Sequence, residues 1–333
     1  MAGAQQQAQE KPAHLEPSEL GTKEYWDNLY VNEISNHAHD PDDKGTVWFD
    51  DSDAEAKMIA FLNALDPDAE TSDHSDDDDC NQQQRQPGNG SLPRLHQSTT
   101  TFLDLGTGNG SLLFGLRDAG WRGKMLGVDY SAKSVEFARQ IARSRREEDG
   151  EDTQQGGDDV EFREYDILNG RPETLLPSTL PSRASSEPIP QQQQQQDGAV
   201  GEGEEGWDVI LDKGTFDAIS LYSSSSSSSS QQDDNNTTTA TTTSTRRPNE
   251  GYKAAVLPLV REGGLFLITS CNWTEDELAR WFEGDFDSQQ QEAERQSQQW
   301  RFSKVGRVDY PSFSFGGVKG QTISTLCFMK VRG

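Results

Sequence analysis

The stretch Asp104-Leu105-Gly106-Thr107-Gly108-Asn109-Gly110 separates a short β-branched and apolar run, TTTFLDL at 99–105, from GSLLFGLRDAG, whose Leu112, Leu113 and Leu116 fall at helical spacing. Glycines at that junction let the backbone take positive φ and approach a ligand closely, and the helix beginning near Ser111 offers free N–H groups at its start. A glycine turn between strand and helix recurs in α/β proteins, so the motif alone says little about chemistry. Its spacing is informative in one respect. The dinucleotide pattern GxGxxG is not met, because its third position falls on Ser111, and Gly110 makes the motif GxGxG instead.

The pieces that follow alternate in the same way. KMLGVDY reads as a second strand, SAKSVEFARQIARSR as a helix capped by Ser131 with the stripe Val135, Ala138 and Ile141, and VEFREYDI as a third strand. WDVILDKG is a fourth strand, YKAAVLPLVREGG a helix stopped by Gly263 and Gly264, LFLITS a fifth strand, and WTEDELARWF a helix capped by Thr274. WRFSKVGRVDY and QTISTLCFMKV, separated by PSFSFGGVKG, suit a closing antiparallel hairpin. The predicted fold is α/β, a doubly wound and mostly parallel sheet with ligands beyond the C-terminal strand ends.

Between these elements lie stretches that cannot build a core. Only 31% of the 333 residues are hydrophobic and the formal charge is −27. Residues 66–98, 145–158, 171–205, 223–250 and 285–299 carry an aspartate tract, six glutamines and eight serines, and together hold 27 acidic and 9 basic residues, a net of −18. Too polar to offset the entropy of ordering them, they read as disordered insertions, whose closure penalty grows only logarithmically with length. With a disordered N-terminus at 1–17 also set aside, 191 residues remain. That is the size of one domain, so 18–333 is expected to be a single domain interrupted by the five insertions.

No run approaches the ~18 consecutive apolar residues of a spanning helix and the first twenty residues lack a signal-peptide core, so the expectation is a cytoplasmic protein with no membrane contact. Cys80, Cys271 and Cys327 lie far apart with no CxxC pair, which fits a reducing compartment and offers no zinc site. The acidic balance argues against a nucleic-acid partner. His37 and His39 read as part of a loop rich in Pro and Asp, and no metal is expected there.

Two acids accompany the glycine turn. Asp129 ends the second strand 19 residues after Gly110, where a carboxylate can accept from the hydroxyls of a ribose; beside the glycine motif this outweighs a role at the following helix N-terminus. Asp166 closes the third strand, either as an acid reading an adenine edge or as a turn former. The ordered set DLGTGNG, GVDYS, YDI and DKGTFDAI resembles the class I S-adenosylmethionine-dependent methyltransferases, whose seven-stranded sheet ends in an antiparallel hairpin. YWDNLY at 25–30, GTVWFDDS at 45–52, LDKGTFDAISL at 211–221 and the ending GQTISTLCFMK narrow the resemblance to the elongation factor 1-alpha lysine methyltransferases of the fungal and animal type.

The resemblance implies S-adenosylmethionine as cofactor. It implies that Gly106, Thr107, Gly108 and Asn109, with Gly110, wrap its methionine end, that Asp104 faces its ammonium, that Asp129 holds the ribose, and that Asp166 and Ile167 meet the adenine. Trp26, Tyr30 and Trp48 are implied to form a lid, although aromatic residues on one side of a short helix are more commonly core. The implied substrate is elongation factor 1-alpha, taken by a monomeric enzyme. A neutral lysine amine must reach the methyl group, so Asp212 is expected to orient it through a hydrogen bond. Lys213, Gly214, Thr215 and Phe216 are expected to form the adjoining wall, with Asn272 and Trp273 lining the channel and Asp217 acting as a helix-capping acid. Four other readings remain: a methyltransferase for another protein, one for a small molecule, a nicotinamide oxidoreductase disfavoured by Ser111, and a noncatalytic module docking basic proteins through its acidic loops.

Overall fold

Five strands lie parallel: β1 (Phe102–Leu105), β2 (Met125–Asp129), β3 (Glu161–Glu164), β4 (Trp207–Lys213) and β5 (Val260–Ser270). β6 (Trp300–Val308) and β9 (Ser324–Arg332) complete a seven-stranded sheet of order β3-β2-β1-β4-β5-β9-β6, with β9 antiparallel to both its neighbours. This is the predicted doubly wound sheet with its closing hairpin, in the class I methyltransferase arrangement. The computed structural model describes residues 11–67, 92–148, 160–179, 205–222, 247–284, 300–315 and 318–333.

Both faces of the sheet are covered, which explains why its central strands are apolar along their length. One face packs under α1 (Lys23–His39), α2 (Ala54–Asn63), α3 (Ser111–Asp118) and α4 (Ala132–Glu148), through Met58, Leu62, Leu113 and Phe137. The other packs under α5 (Thr215–Ser220), α6 (Asn249–Val256) and α7 (Glu275–Glu283), through Phe216, Tyr252, Trp281 and Phe282. Alternation along a strand assigns each side chain to one layer. Val209 and Leu211 of β4 join the first layer and Ile210 the second.

Local signals held at two helices. The Ser131 hydroxyl accepts from Ser134 N at 3.3 Å at the start of α4, and Thr274 and Glu277 form a reciprocal capping box on α7. The helix expected to run to Gly263 stops earlier. A 3-10 turn over Leu257–Leu259 contains Pro258, which has no N–H to continue the ladder, and β5 already begins at Val260. The glycines lie inside that strand, where Gly263 takes φ +71° and pairing with β4 jumps from Trp207↔Val260 to Val209↔Leu265. PSFSFGGVKG also does more than link two strands. β7 (Ser312–Phe315) and β8 (Val318–Gln321) make a separate antiparallel hairpin.

The disordered terminus is corrected over residues 11–17. Leu15 packs on the second layer, Arg247 Nη1 donates to its carbonyl at 2.8 Å, and the His14 ring lies 6.0 Å from Trp281; residues 1–10 lie outside the described residues. The insertions are narrower than expected. α4 continues to Glu148, α6 starts at Asn249, and 3-10 turns occupy Pro172–Leu175 and Pro177–Thr179 because Leu175 is buried against Trp207, whose Nε1 donates to the Leu175 carbonyl at 2.7 Å. What remains of them, 68–91, 149–158, 180–204, 223–246 and 285–299, lies outside the described residues. At three of these the flanking residues bond to each other: Leu95 N to Leu65 O at 3.1 Å, Ser178 N to Glu205 Oε1 at 2.7 Å, and Lys304 N to Glu283 Oε1 at 2.7 Å.

Candidate active site

The sheet order reverses direction between β1 and β4, and at such a switch point a crevice opens outside the carboxyl ends of the two strands. The glycine turn lines its β1 side. Gly106, Gly108 and Gly110 take φ of +64°, +58° and +83°, the left-handed region where a side chain is strained. Gly106 is crowded as well, since a Cβ there would lie 2.0 Å from Thr215 Oγ1, which donates to the Leu105 carbonyl at 2.6 Å. One hydroxyl thereby ties the ends of β1 and β4 together.

Asp104 and Asp129 both point into the first layer and both are buried. Burial pushes the Asp104 carboxyl up to about 7, opposed by the nearby Thr107 hydroxyl and Lys213 ammonium. Thr107 Oγ1 is itself buried and makes no hydrogen bond of normal geometry. Asp129 is raised by burial too, against three donors: Ser131 N at 2.9 Å, Gly108 N at 3.1 Å and Ser134 Oγ at 2.8 Å. A carboxylate has about four acceptor sites, so close to one is left for a ligand hydroxyl rather than two. Asp166 has settled into its own turn, accepting from Leu168 N at 2.9 Å and Asn169 Nδ2 at 2.8 Å, while Ile167 is buried in the second layer.

The N-terminal segment lies over the glycine turn. Ser131 Oγ donates to Asp27 of α1 at 2.6 Å, and the buried Tyr30 hydroxyl sits 2.8 Å from where a Cβ on Gly108 would stand. The Asn109 side chain ties the N-terminal segment to the turn: its Nδ2 donates to the Lys44 carbonyl at 2.9 Å and its Oδ1 accepts from Ser111 N at 3.1 Å. Glu33 holds the same segment through Thr46 Oγ1 at 2.7 Å. Trp26 and Trp48 then meet at 5.2 Å between ring centroids. His37 and His39 lie on α1 rather than in a loop, and no cluster of metal-binding side chains occurs among the described residues.

The end of β4 departs from expectation. Asp212 belongs to the second layer, where its carboxylate accepts from Thr215 N at 2.7 Å, Phe216 N at 3.1 Å and Tyr252 Oη at 2.6 Å. It closes the start of α5 and binds α6 instead of reaching across the crevice. Burial raises it to about 7. Phe216 and Trp273 are core, not channel wall, their rings 6.0 Å apart in a cluster with Trp281. Asn272 is exposed. Asp217 caps nothing; buried on α5, it accepts from Cys271 N at 2.8 Å after β5 and is pushed by burial to about 6. One residue further along β4 the parity changes. Lys213 returns to the first layer, donating to the Trp48 carbonyl at 3.0 Å and lying 3.4 Å from Glu55 on α2, with Gly214 beside it at φ +96°.

A methyltransferase-domain family profile matches residues 96–180, which span the glycine turn and both acids. The protein-lysine N-methyltransferase EFM4 of Saccharomyces cerevisiae is 32% identical over 319 residues, covering 96% of this chain and 97% of the yeast one. This chain belongs to the EFM4 family. The efm4 protein-lysine N-methyltransferase of Schizosaccharomyces pombe is 30% identical over 94% of this chain and 95% of its own, and the human EEF1A lysine methyltransferase 2 is 24% identical over 95% and 88%.

The EFM4-family site fits the S-adenosylmethionine that the class I fold implies. Its glycine cradle has no room for side chains, and Trp48 Nε1, on the residue whose carbonyl accepts from Lys213, is buried with no hydrogen-bond partner, the state of a donor awaiting an acceptor. Glu33, Glu55, Ser134 and Tyr252 were not singled out from sequence. Strand parity identifies Lys213 rather than Asp212 as the residue facing Asp104; the remaining four lie on helices, and nothing in their local spacing marks them.

Proposed function

We propose that this chain is a cytoplasmic S-adenosylmethionine-dependent protein-lysine N-methyltransferase that modifies a lysine of translation elongation factor 1-alpha. The observation that carries the substrate is end-to-end similarity: relatives aligned over 94–96% of the chain include vertebrate EEF1A lysine methyltransferases. Bound S-adenosylmethionine supplies an electrophilic methyl on its sulfonium. In this reading Gly106, Gly108 and Gly110 admit the methionine end, Asp104 meets its ammonium, Asp129 takes a ribose hydroxyl, and Trp26, Tyr30 and Trp48 exclude water. Only a neutral lysine amine attacks, against an ordinary pKa near 10.4. The apolar lid favours that form by withholding solvent, and the crevice supplies the in-line approach. Asp212 contributes by holding the end of β4.

Purified protein with labelled S-adenosylmethionine and elongation factor 1-alpha should label one peptide at lysine on mapping. Retained S-adenosylhomocysteine binding without any label on the factor would sink the substrate.

The Asp104 assignment has a pH signature. At about 7 its carboxyl is partly protonated near neutrality, and an ammonium brought beside it favours the ionised form, so binding releases protons. S-adenosylhomocysteine affinity should rise about tenfold between pH 6 and 8, with a calorimetric enthalpy that varies with the buffer's ionisation enthalpy. A flat, buffer-independent profile would remove Asp104 from the ammonium.

A further inference from the structure

Phe49 has no role in the cofactor cradle described above, yet it is one of two described non-glycine residues with positive φ, at +65°; the other, Asp53 at +51°, closes the same turn. Bulky L-residues avoid this conformation, and where one persists the surrounding structure holds it there. Here the restraint comes from both sides. The preceding carbonyl, of Trp48, accepts from Lys213 Nζ at 3.0 Å, and the Phe49 carbonyl accepts from Ser52 N and Ala54 N, both at 3.2 Å.

The strained backbone aims the ring at the crevice. A Cβ built on Gly214, at the end of β4, would meet Phe49 Cε2 and Cζ, each at 3.3 Å, so the ring rests against backbone left bare by a glycine. It also packs against the small cluster of Ala54, Val308, Tyr310 and Ile323, and it stays half-buried. Trp48 is the adjoining residue, paired with Trp26. The exposed Asp50 and Asp51 follow immediately. A turn that only had to reverse the chain would be better served by glycine or asparagine at φ +65°. A ring at this place adds apolar surface at the carboxyl end of β4, flanked by carboxylates, which matches a lysine side chain with its apolar stem and cationic tip.

Resting on the lysine-methyltransferase reading, we propose that Phe49, its ring seated on Gly214, is the wall of the target-lysine channel and aligns the lysine stem for attack. It takes the place of Phe216, which the fold buries in the second layer.

The test uses the full chain and compares Phe49→Ala, Phe49→Gly and Phe49→Tyr with the unaltered protein. Steady-state methyl transfer to elongation factor 1-alpha, S-adenosylhomocysteine affinity and the thermal midpoint are measured for each. Removing the ring should raise KM for the factor roughly tenfold or more, with cofactor affinity unchanged. Phe49→Gly should be as impaired as Phe49→Ala despite a relaxed backbone and an equal or higher midpoint, while Phe49→Tyr restores most of the activity. Unchanged kinetics in Phe49→Ala, or activity regained in Phe49→Gly, would overturn the inference. A fall in cofactor affinity matching the fall in activity would also overturn it, by placing the ring on the cofactor instead. If the unaltered protein binds S-adenosylhomocysteine but labels no lysine of the factor, the functional reading fails and takes the inference with it.

Discussion

Asp212→Ala should destabilise the protein by about 3 kcal/mol, because the Tyr252 hydroxyl and the first amides of α5 lose a buried acceptor together. For a domain of this size that corresponds to a thermal midpoint lower by roughly 10 °C. Asp212→Asn keeps an acceptor for the amides and should lose much less. The pH dependence separates a carboxyl from its isostere. With its pKa raised from 3.8 to about 7, Asp212 contributes stability that is fully present below the ordinary carboxyl range and is lost as pH rises through about 7. The asparagine amide does not titrate, so the advantage of the natural residue over Asp212→Asn, measured by denaturant unfolding, should shrink steadily from pH 4 to pH 7. Asp104 and Asp217 are raised in the same direction and add to the slope of the unaltered protein. An Asp212→Ala protein that melts normally and loses only turnover would return Asp212 to the substrate amine.

Gly106→Ala is expected to abolish detectable S-adenosylhomocysteine binding by calorimetry. At φ +64° an added Cβ costs roughly 1–2 kcal/mol of backbone strain. It also lands 2.0 Å from Thr215 Oγ1, which can move only by giving up its bond to the Leu105 carbonyl. Relief in either direction shifts the floor of the cradle or parts the ends of β1 and β4. A second change, Thr215→Ala, removes the nearest atom and leaves Thr215 Cβ at 3.1 Å, so the double variant should recover part of the stability lost by the single one. Two changes whose effects simply add would show that the clash with Thr215 is not the cause.

Most of the architecture was legible because it repeats local signals: β-branched runs, capping residues at Ser131 and Thr274, and glycines at a strand end. Pro258 was legible too, but the eye is drawn to Gly263 and Gly264, which only a sheet partner can convert into a bulge. The candidate site divides along the same line. Gly106, Gly108, Gly110, Asp104 and Asp129 come together as expected, since each sits at a strand end beside the switch point. Asp212 is the penultimate residue of β4, where a single step of parity decides which layer receives the side chain, and Phe216 lies on α5 just beyond that strand. Counting alternation forward from Leu211 assigns Asp212 to the α5–α6 layer and Lys213 to the crevice side. Asn109 and Glu33 hold the 44–46 segment through bonds to Lys44 and Thr46, and long-range contacts of that kind leave no trace in spacing.

The three closed necks at Leu65–Leu95, Ser178–Glu205 and Glu283–Lys304 make the chain resemble a machine with service ports. Strands β1 and β4 begin downstream of the first two junctions, which therefore lie toward the rim where strands start, away from the crevice at the other rim, while Lys304 of the third lies within β6. A neck that bonds across itself hands the same geometry to the sheet whatever number of residues separates its two sides. Growth by repeat expansion, or the splicing-in of a reporter domain, therefore has an address in this protein set apart from the glycine turn.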